Sequence, residues 1–380
     1  MALIWVGFVV FVLLLLALDL GVFHRTAREV SVREALGWSA VWIVVALAFT
    51  AFIYSGYEHH WLGLGLSPDV VDRSAHSPEG RINDGSSAVV KYLTGYVVER
   101  SLSVDNLFVI ALIFTFFRVP SIYQHRVLFW GILGALLLRG VMIALGARLI
   151  SEFTWILYVF GVFLIITAVK MLVTKGEEGD PDRNPLVRLV RRLFPVTDRL
   201  HGEHFLVRAG NDASDQPAAP GEARAADGAV RRARPGRWML TPLAVTLVAV
   251  ETSDLIFAVD SIPAIFAITA DPFLVFTSNV FAILGLRALY FALAGALAAF
   301  RYLKASLSIV LAVVGVKMLV HSWLEDLLGE HFNLYLLGLV LLILAAGVLA
   351  SRRATGREKR ALAREQAEIA LVAPGGTDHG

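Results

Sequence analysis

The sequence predicts an all-α polytopic membrane protein of about nine transmembrane helices that contains two inverted three-helix repeats. Three observations lead there. Hydrophobic residues make up 57% of the chain and charged ones 17%. The apolar residues gather into runs able to form the roughly 20 residues of helix that cross a hydrocarbon core. The two halves of the chain also echo one another, the sequence signature of an internal repeat.

Apolar continuity places the spans at about 2–18, 37–54, 87–117, 127–150, 154–174, 238–268, 275–300, 305–323 and 332–350. The first is not a signal peptide, because MAL carries no basic residue and His24, Arg25, Arg28 and Arg33 follow the apolar run. That order sets the amino terminus outside. Alternation then gathers nearly all extramembrane Arg and Lys into 19–36, 118–126, 175–237, 301–304 and the segment after 350, the cytoplasmic side. The outside loop 55–86 has only Arg73 and Arg81 against Glu58, Asp69, Asp72, Glu79 and Asp84. The carboxyl terminus is then inside.

The chain divides into an N-terminal two-helix segment with its outside loop (1–86), a first transmembrane repeat (87–174), a cytoplasmic linker (175–237), a second repeat (238–323), a last helix (324–350) and a cytoplasmic tail (351–380). In the linker, LVRLVRRLF at 186–194 alternates apolar and arginine residues at helical spacing, suiting the lipid of an anionic leaflet. The following Pro, Gly, Ala and charge-rich stretch reads as disordered tether.

The echo between the halves is local but repeated. Ala168-Val169-Lys170-Met171-Leu172-Val173 recurs as Gly315-Val316-Lys317-Met318-Leu319-Val320. Ile132-Leu133-Gly134 with Arg139 is matched by Ile283-Leu284-Gly285 with Arg287, and Ser103-Val104-Asp105 by Thr252-Ser253-Asp254. The third span runs inward and the sixth outward, so the triplets are inverted, an arrangement that in transporters puts the substrate site at mid-bilayer between the repeats.

Acids interrupt the first span of each triplet: Glu99 and Asp105, with Asn106, in one, and Glu251, Asp254 and Asp260 in the other. Each acid costs about 2.5–3.5 kcal/mol in hydrocarbon unless something cationic compensates it. Glu251 and Asp254, spaced i, i+3, leave one helix face. Asp260 would point elsewhere on a regular helix, but Pro263 is expected to kink the chain there, swing Asp260 round and free the Val259 carbonyl. On the wheel Glu99, Ser103 and Asn106 share one face and Ser101 and Asp105 another; the sequence does not decide which face meets the sixth span.

Carboxylate, amide, hydroxyl and carbonyl oxygens suit Mn²⁺, Mg²⁺ or Ca²⁺. The chain has no cysteine and its ten histidines fall in loops, tails or helix ends, which disfavours Zn²⁺ and Cu⁺ at mid-membrane. The competing reading is internal ion pairing, for which Lys91, Arg100, Arg139, Lys170, Arg287 and Lys317 are available. Arg139 and Arg287 are expected to orient the acids. Clustered carboxylates also raise one another's proton affinity, so metal would exchange for protons. Thr277, Ser278 and Asn279 read as caps at a helix entry. No phosphate loop, HExxH or Ser/His/Asp grouping points to an enzyme, and neither a cofactor nor a nucleic-acid partner is expected.

ERSLSVDNLFV at 99–109 and ETSDLIFAVDSIPAIFAIT at 251–269 resemble the two signature segments of the TerC/Alx family of bacterial integral membrane proteins. The likeness extends over the second to ninth spans. It implies a manganese exporter related to the LysE type of transporters, with Asp105, Glu99, Glu251, Asp254 and Asp260 as metal-handling acids and Asn106, Ser101, Ser103 and Ser253 in support. The alternative it leaves is an assembly or tellurium-resistance factor without transport activity.

Overall fold

The computed structural model describes residues 2–21, 31–72, 80–153, 155–173, 185–197, 200–208, 238–293, 303–328 and 332–372. Its helices are α1 (Ala2–Gly21), α2 (Val32–Glu58), α3 (Gly85–Phe116), α4 (Ser121–Glu152), α5 (Ile156–Val173) and α6 (Pro185–Leu193), then α7 (Pro242–Phe266), α8 (Pro272–Leu284), α9 (Leu286–Leu293), α10 (Leu303–Leu328) and α11 (Phe332–Val372). Between α6 and α7, strand β1 (Leu206–Arg208) pairs antiparallel with β2 (Trp238–Leu240), Leu206 opposite Leu240. The sixth span therefore starts at Pro242 and not at Trp238: the ladder occupies 238–240, and Thr241 with Pro242 makes the helix entry. The composition-defined tether at 209–237 lies outside the described residues.

Local chemistry sets the other starts as well. Asp84 accepts from the Ser87 N–H at 2.6 Å to open α3, and Asp271 accepts from Phe273 and Leu274 ahead of α8. Thr277, Ser278 and Asn279 consequently sit buried inside α8 and not at its entry.

Among the described residues, six helices are long and apolar enough to cross a membrane: Val32–Glu58, Ser121–Glu152, Ile156–Val173, Pro242–Phe266, Pro272–Ala292 and Asn333–Ala354. The apolar stretches Ala2–Leu18 and Ala305–Leu319 are shorter. α3 has 32 residues, but Lys91, Glu99, Arg100 and Asp105 interrupt it. These three account for the difference from the expected nine, which counted α1, α3 and α10 as spans.

The bundle is held by a definite set of pairings. α3 packs on α7 and α8, α4 on α7, and α5 on α10. α2 covers α3 and α9, while α11 covers α10 and α3. The α5–α10 contact is backbone to backbone: a Cβ at Gly161 would lie 3.1 Å from the Gly315 carbonyl, and one at Gly315 2.9 Å from the Gly161 carbonyl. α8 gives way to α9 at Gly285, where Arg100 of α3 donates to the carbonyls of Ala282 (2.8 Å) and Gly285 (3.4 Å) and to Ser39 Oγ (3.2 Å). A guanidinium at a helix carboxyl end meets the negative pole of its dipole.

α7 is one continuous helix through Asp260 and Pro263 to Phe266, so the chain break expected to swing Asp260 round towards Glu251 is not there. Residues 261–268 are buried on all sides, and the Lys317 ammonium of α10 donates to the Ala267 carbonyl at 2.6 Å, securing the end of the helix.

The α2–α3 loop folds onto the corner between α7 and α8. Asp69 accepts from the buried Lys91 ammonium of α3 at 2.9 Å, from the Thr269 hydroxyl and from the Ala270 N–H at 2.9 Å. Lys91 is held further by Asp72 and Asn83, and Tyr57 donates to Asp271 at 2.8 Å. Burial alone would raise the Asp69 carboxyl, but Lys91 and these donors outweigh it and hold it at about 2. Its contribution to stability is therefore complete above the ordinary carboxylate range near 3.8 and is lost only as pH falls from there towards 2. Asp69→Ala leaves Lys91 with Asp72 as its one carboxylate beside Asn83, and breaking a buried pair costs about 3–5 kcal/mol. A lowered unfolding midpoint of the purified protein at neutral pH is expected, near the smaller figure; an unchanged midpoint would show that Asp72 suffices.

Candidate functional site

Arg139, midway along α4 and 2% exposed, reaches two acids on two other helices. Its Nε and Nη2 donate to Asp254 Oδ2 and Oδ1 of α7 at 3.1 and 2.9 Å. Its Nη1 donates to Glu99 Oε1 of α3 and lies 3.4 Å from Ser261 Oγ. Asn106 Nδ2 donates to Asp254 Oδ1 at 2.9 Å, and Ser103 Oγ to Glu99 Oε1 at 3.3 Å. Ser253 Oγ is 3.5 Å from Asn106 Oδ1. The face of α3 that meets α7 is thus the one bearing Glu99, Ser103 and Asn106.

Beside this triad lies a cavity of about 40 Å³. Glu99, Ser103, Asn106, Arg139, Asp260 and Ser261 supply its polar wall, and Leu102, Met171, Phe257 and Leu311 close it. Asp260 joins Glu99 here and not Glu251, because a continuous α7 carries it two and a half turns past Glu251. The Thr167 hydroxyl of α5 donates to Asp260 at 3.4 Å, and Lys170 acts on it from the same helix. Glu99 Oε2 is buried with no hydrogen-bond partner among the described residues.

The remaining predicted residues lie apart from the cavity wall. Glu251 is pressed against α4, so that a Cβ at Gly134 would fall 2.0 Å from its Oε1, and its Oε2 is buried with no partner among the described residues. Ser101 donates back to the Val97 carbonyl of its own helix at 2.6 Å. Arg287 is buried on α9 and lines no part of the cavity. Asp105 is on α3, but its side chain lies outside the described residues. Among the described residues no three His, Asp or Glu side chains form a ready-made metal cluster.

Sequence reasoning missed Thr167 and Ser261, and it paired the halves in a different register. Glu99 precedes Asp105-Asn106 by the same six residues by which Asp254 precedes Asp260-Ser261. That spacing was the available signal, and it matches Glu99 with Asp254, the two acids that share Arg139.

The Gly134 contact yields a test. Gly134→Ala drives a methyl into the Glu251 carboxylate, and overpacking of this kind costs about 1–3 kcal/mol. The loss, read from the unfolding midpoint, should fall by more than half when Glu251→Ala is made in the same chain. Additive losses would contradict the contact.

Comparison with known proteins agrees with the sequence resemblance. A myxobacterial protein of Myxococcus xanthus, "Uncharacterized membrane protein STKORF319", is 45% identical over 322 residues, 85% of each chain. Two relatives carry the name "Putative membrane-bound redox modulator Alx". That of Photorhabdus laumondii is 39% identical over 348 residues, 91% of this chain and 93% of its own. That of Escherichia coli K12 is 42% identical over 319 residues, 84% of this chain and 86% of its own. No solved structure matches. The family model described as integral membrane protein TerC family matches residues 84–359, both acid-bearing helices included, and this multi-pass membrane chain belongs to that family.

Proposed function

We propose that the protein exports Mn²⁺ from the cytoplasm in exchange for protons, through the carboxylate cavity between α3 and α7. One observation carries the reading: Glu99 and Asp254, from two helices, share one guanidinium beside a small polar cavity that Asp260 also lines, with one Glu99 oxygen unpartnered among the described residues. Three carboxylates are set against Arg139 and, at Asp260, Lys170, so the site keeps an excess of negative charge that favours a cation. Asn106, Ser103 and Ser261 add the neutral oxygens that hard and borderline cations take. The choice of manganese and the outward direction come from the family resemblance.

The pairing of helices supports alternating access between inverted repeats. Exchanging α3, α4 and α5 for α7, α8 and α10 turns the α3–α8 contact into α7–α4 and maps α3–α7 and α5–α10 onto themselves, as a two-fold relation between the triplets requires; the loop charges put that axis in the membrane plane. Two contacts support the alternation of loops, while the outside placement of the amino terminus rests on the distribution of Arg and Lys. Asp69 of the 55–86 loop bonds the α7–α8 corner at one end of the bundle. At the other, Arg126 of the 118–126 loop pairs with Glu203 of the linker at 2.6 Å. The chain has no cysteine, so an influence on redox state of the kind the relatives' name describes would here run through ions and not thiols.

In proteoliposomes loaded with Mn²⁺, Glu99→Gln and Asp254→Asn should each slow efflux by about tenfold or more, as loss of a ligand or its support does. Ser101→Ala, whose hydroxyl serves only its own helix, should leave efflux unchanged. Native efflux in the Glu99 and Asp254 variants would refute the site.

A further inference from the structure

We infer that Arg139 is a tethered cation: its guanidinium holds the carboxylate site between substrates, and a divalent cation enters by taking Glu99 from it. The inference rests on the transport reading above and adds what sets the affinity of that site.

The arginine's two grips are unequal. Asp254 is held by two donors, Nε at 3.1 Å and Nη2 at 2.9 Å, and is further fixed by Asn106. Glu99 is held through a single oxygen, by Nη1 with Ser103 alongside. A two-point fork on a carboxylate adds both energy and geometry, so the Glu99 end is the one that yields.

A second, independent observation concerns the free half of Glu99. Its Oε2 is completely buried and finds no partner among the described residues, although the side chain lines the cavity. A carboxylate offers about four acceptor positions, and Glu99 leaves one whole oxygen to whatever fills the space. At about 40 Å³ the space exceeds the roughly 10–15 Å³ that a single water demands. Asn106, Asp260 and Ser261 border the same space, so an entering cation meets oxygens from both acid-bearing helices.

Charge explains why an arginine belongs here at all. Without it, the unloaded site would gather three carboxylates in a low dielectric, and a dication entering it would be held too tightly to leave. Conduction and transport both require binding weak enough for release. Lys91, Arg100 and Lys317 cannot take over, since Asp69 and Asp72, the α8–α9 carbonyls and the Ala267 carbonyl engage them elsewhere. Arg139 thus competes with the substrate for Glu99 and trades affinity for turnover.

The test is Mn²⁺ binding to the purified full chain, followed by the loss of the free-ion electron paramagnetic resonance signal, beside the KM and maximal rate of Mn²⁺ flux in proteoliposomes. Arg139→Gln should bind Mn²⁺ roughly tenfold tighter or more, given the coupling measured between close charge pairs, with KM lowered and the maximal rate reduced. Arg139→Lys keeps the charge but has no fork to span both acids; it should shift affinity the same way by a smaller factor. Unchanged or weaker binding in these variants overturns the inference and leaves Arg139 as a brace for the acids. If Arg139→Gln does not fold, Arg139→Lys decides alone by the same criterion. A native chain that binds none of Mn²⁺, Mg²⁺ and Ca²⁺ overturns the transport reading and this inference together, a failure visible before any substitution is made.

Discussion

The interaction on which the rest depends is one guanidinium shared by carboxylates of two helices in a medium that cannot hydrate either. Ionised Glu99 and Asp254 would repel each other across the α3–α7 contact; Arg139, delivered from α4, turns that repulsion into the reason the three helices meet where they do. Because all three groups are buried, removing the guanidinium leaves two carboxylates uncompensated. The face of α3 turned to α7, the depth of Asn106 against Asp254 and the close approach of α4 at Gly134 are consequences of keeping that triad assembled and dry.

Other buried cations are satisfied without drawing on these acids. Lys91 takes two aspartates from the α2–α3 loop, Arg100 takes the carbonyls freed where α8 breaks, and Lys317 takes the carbonyl that ends α7. Each is a local solution of the same problem, a charge in low dielectric that needs acceptors in its own neighbourhood. The result is a bundle whose ends are locked by ion pairs and carbonyl contacts, while its middle keeps more negative than positive charge. That imbalance around the cavity, and not the number of acids in the chain, makes a cation the natural occupant.

The sequence disclosed the acids because charged residues inside apolar runs stand out against their surroundings; apolar continuity alone set the starts at 87, 238 and 275 and passed over the caps Asp84, Thr241 and Asp271, each ahead of a Gly or Pro. Of six basic residues it singled out Arg139 and Arg287, but not that Arg139 alone of these two answers Glu99 and Asp254, since that depends on how α4 is seated between α3 and α7. The break expected at Pro263 failed for a related reason. The ring removes one hydrogen bond near the helix end, but the packing of 261–268 and the Lys317 contact keep the helix continuous. Asp260 accordingly reaches the cavity from the far side of α7, beside Thr167, and Glu251 stays against Gly134. The short β1–β2 ladder escaped notice because three-residue strands carry too little periodicity to register.

The most direct measurement is a structure of the protein with Mn²⁺ present, the ion located by its anomalous scattering. The account predicts one manganese in the cavity between Glu99 and Asp260, bound through the Glu99 carboxylate, with the Arg139 guanidinium still on Asp254 but released from Glu99. Manganese found only elsewhere, with the Glu99–Arg139–Asp254 triad intact, would contradict it.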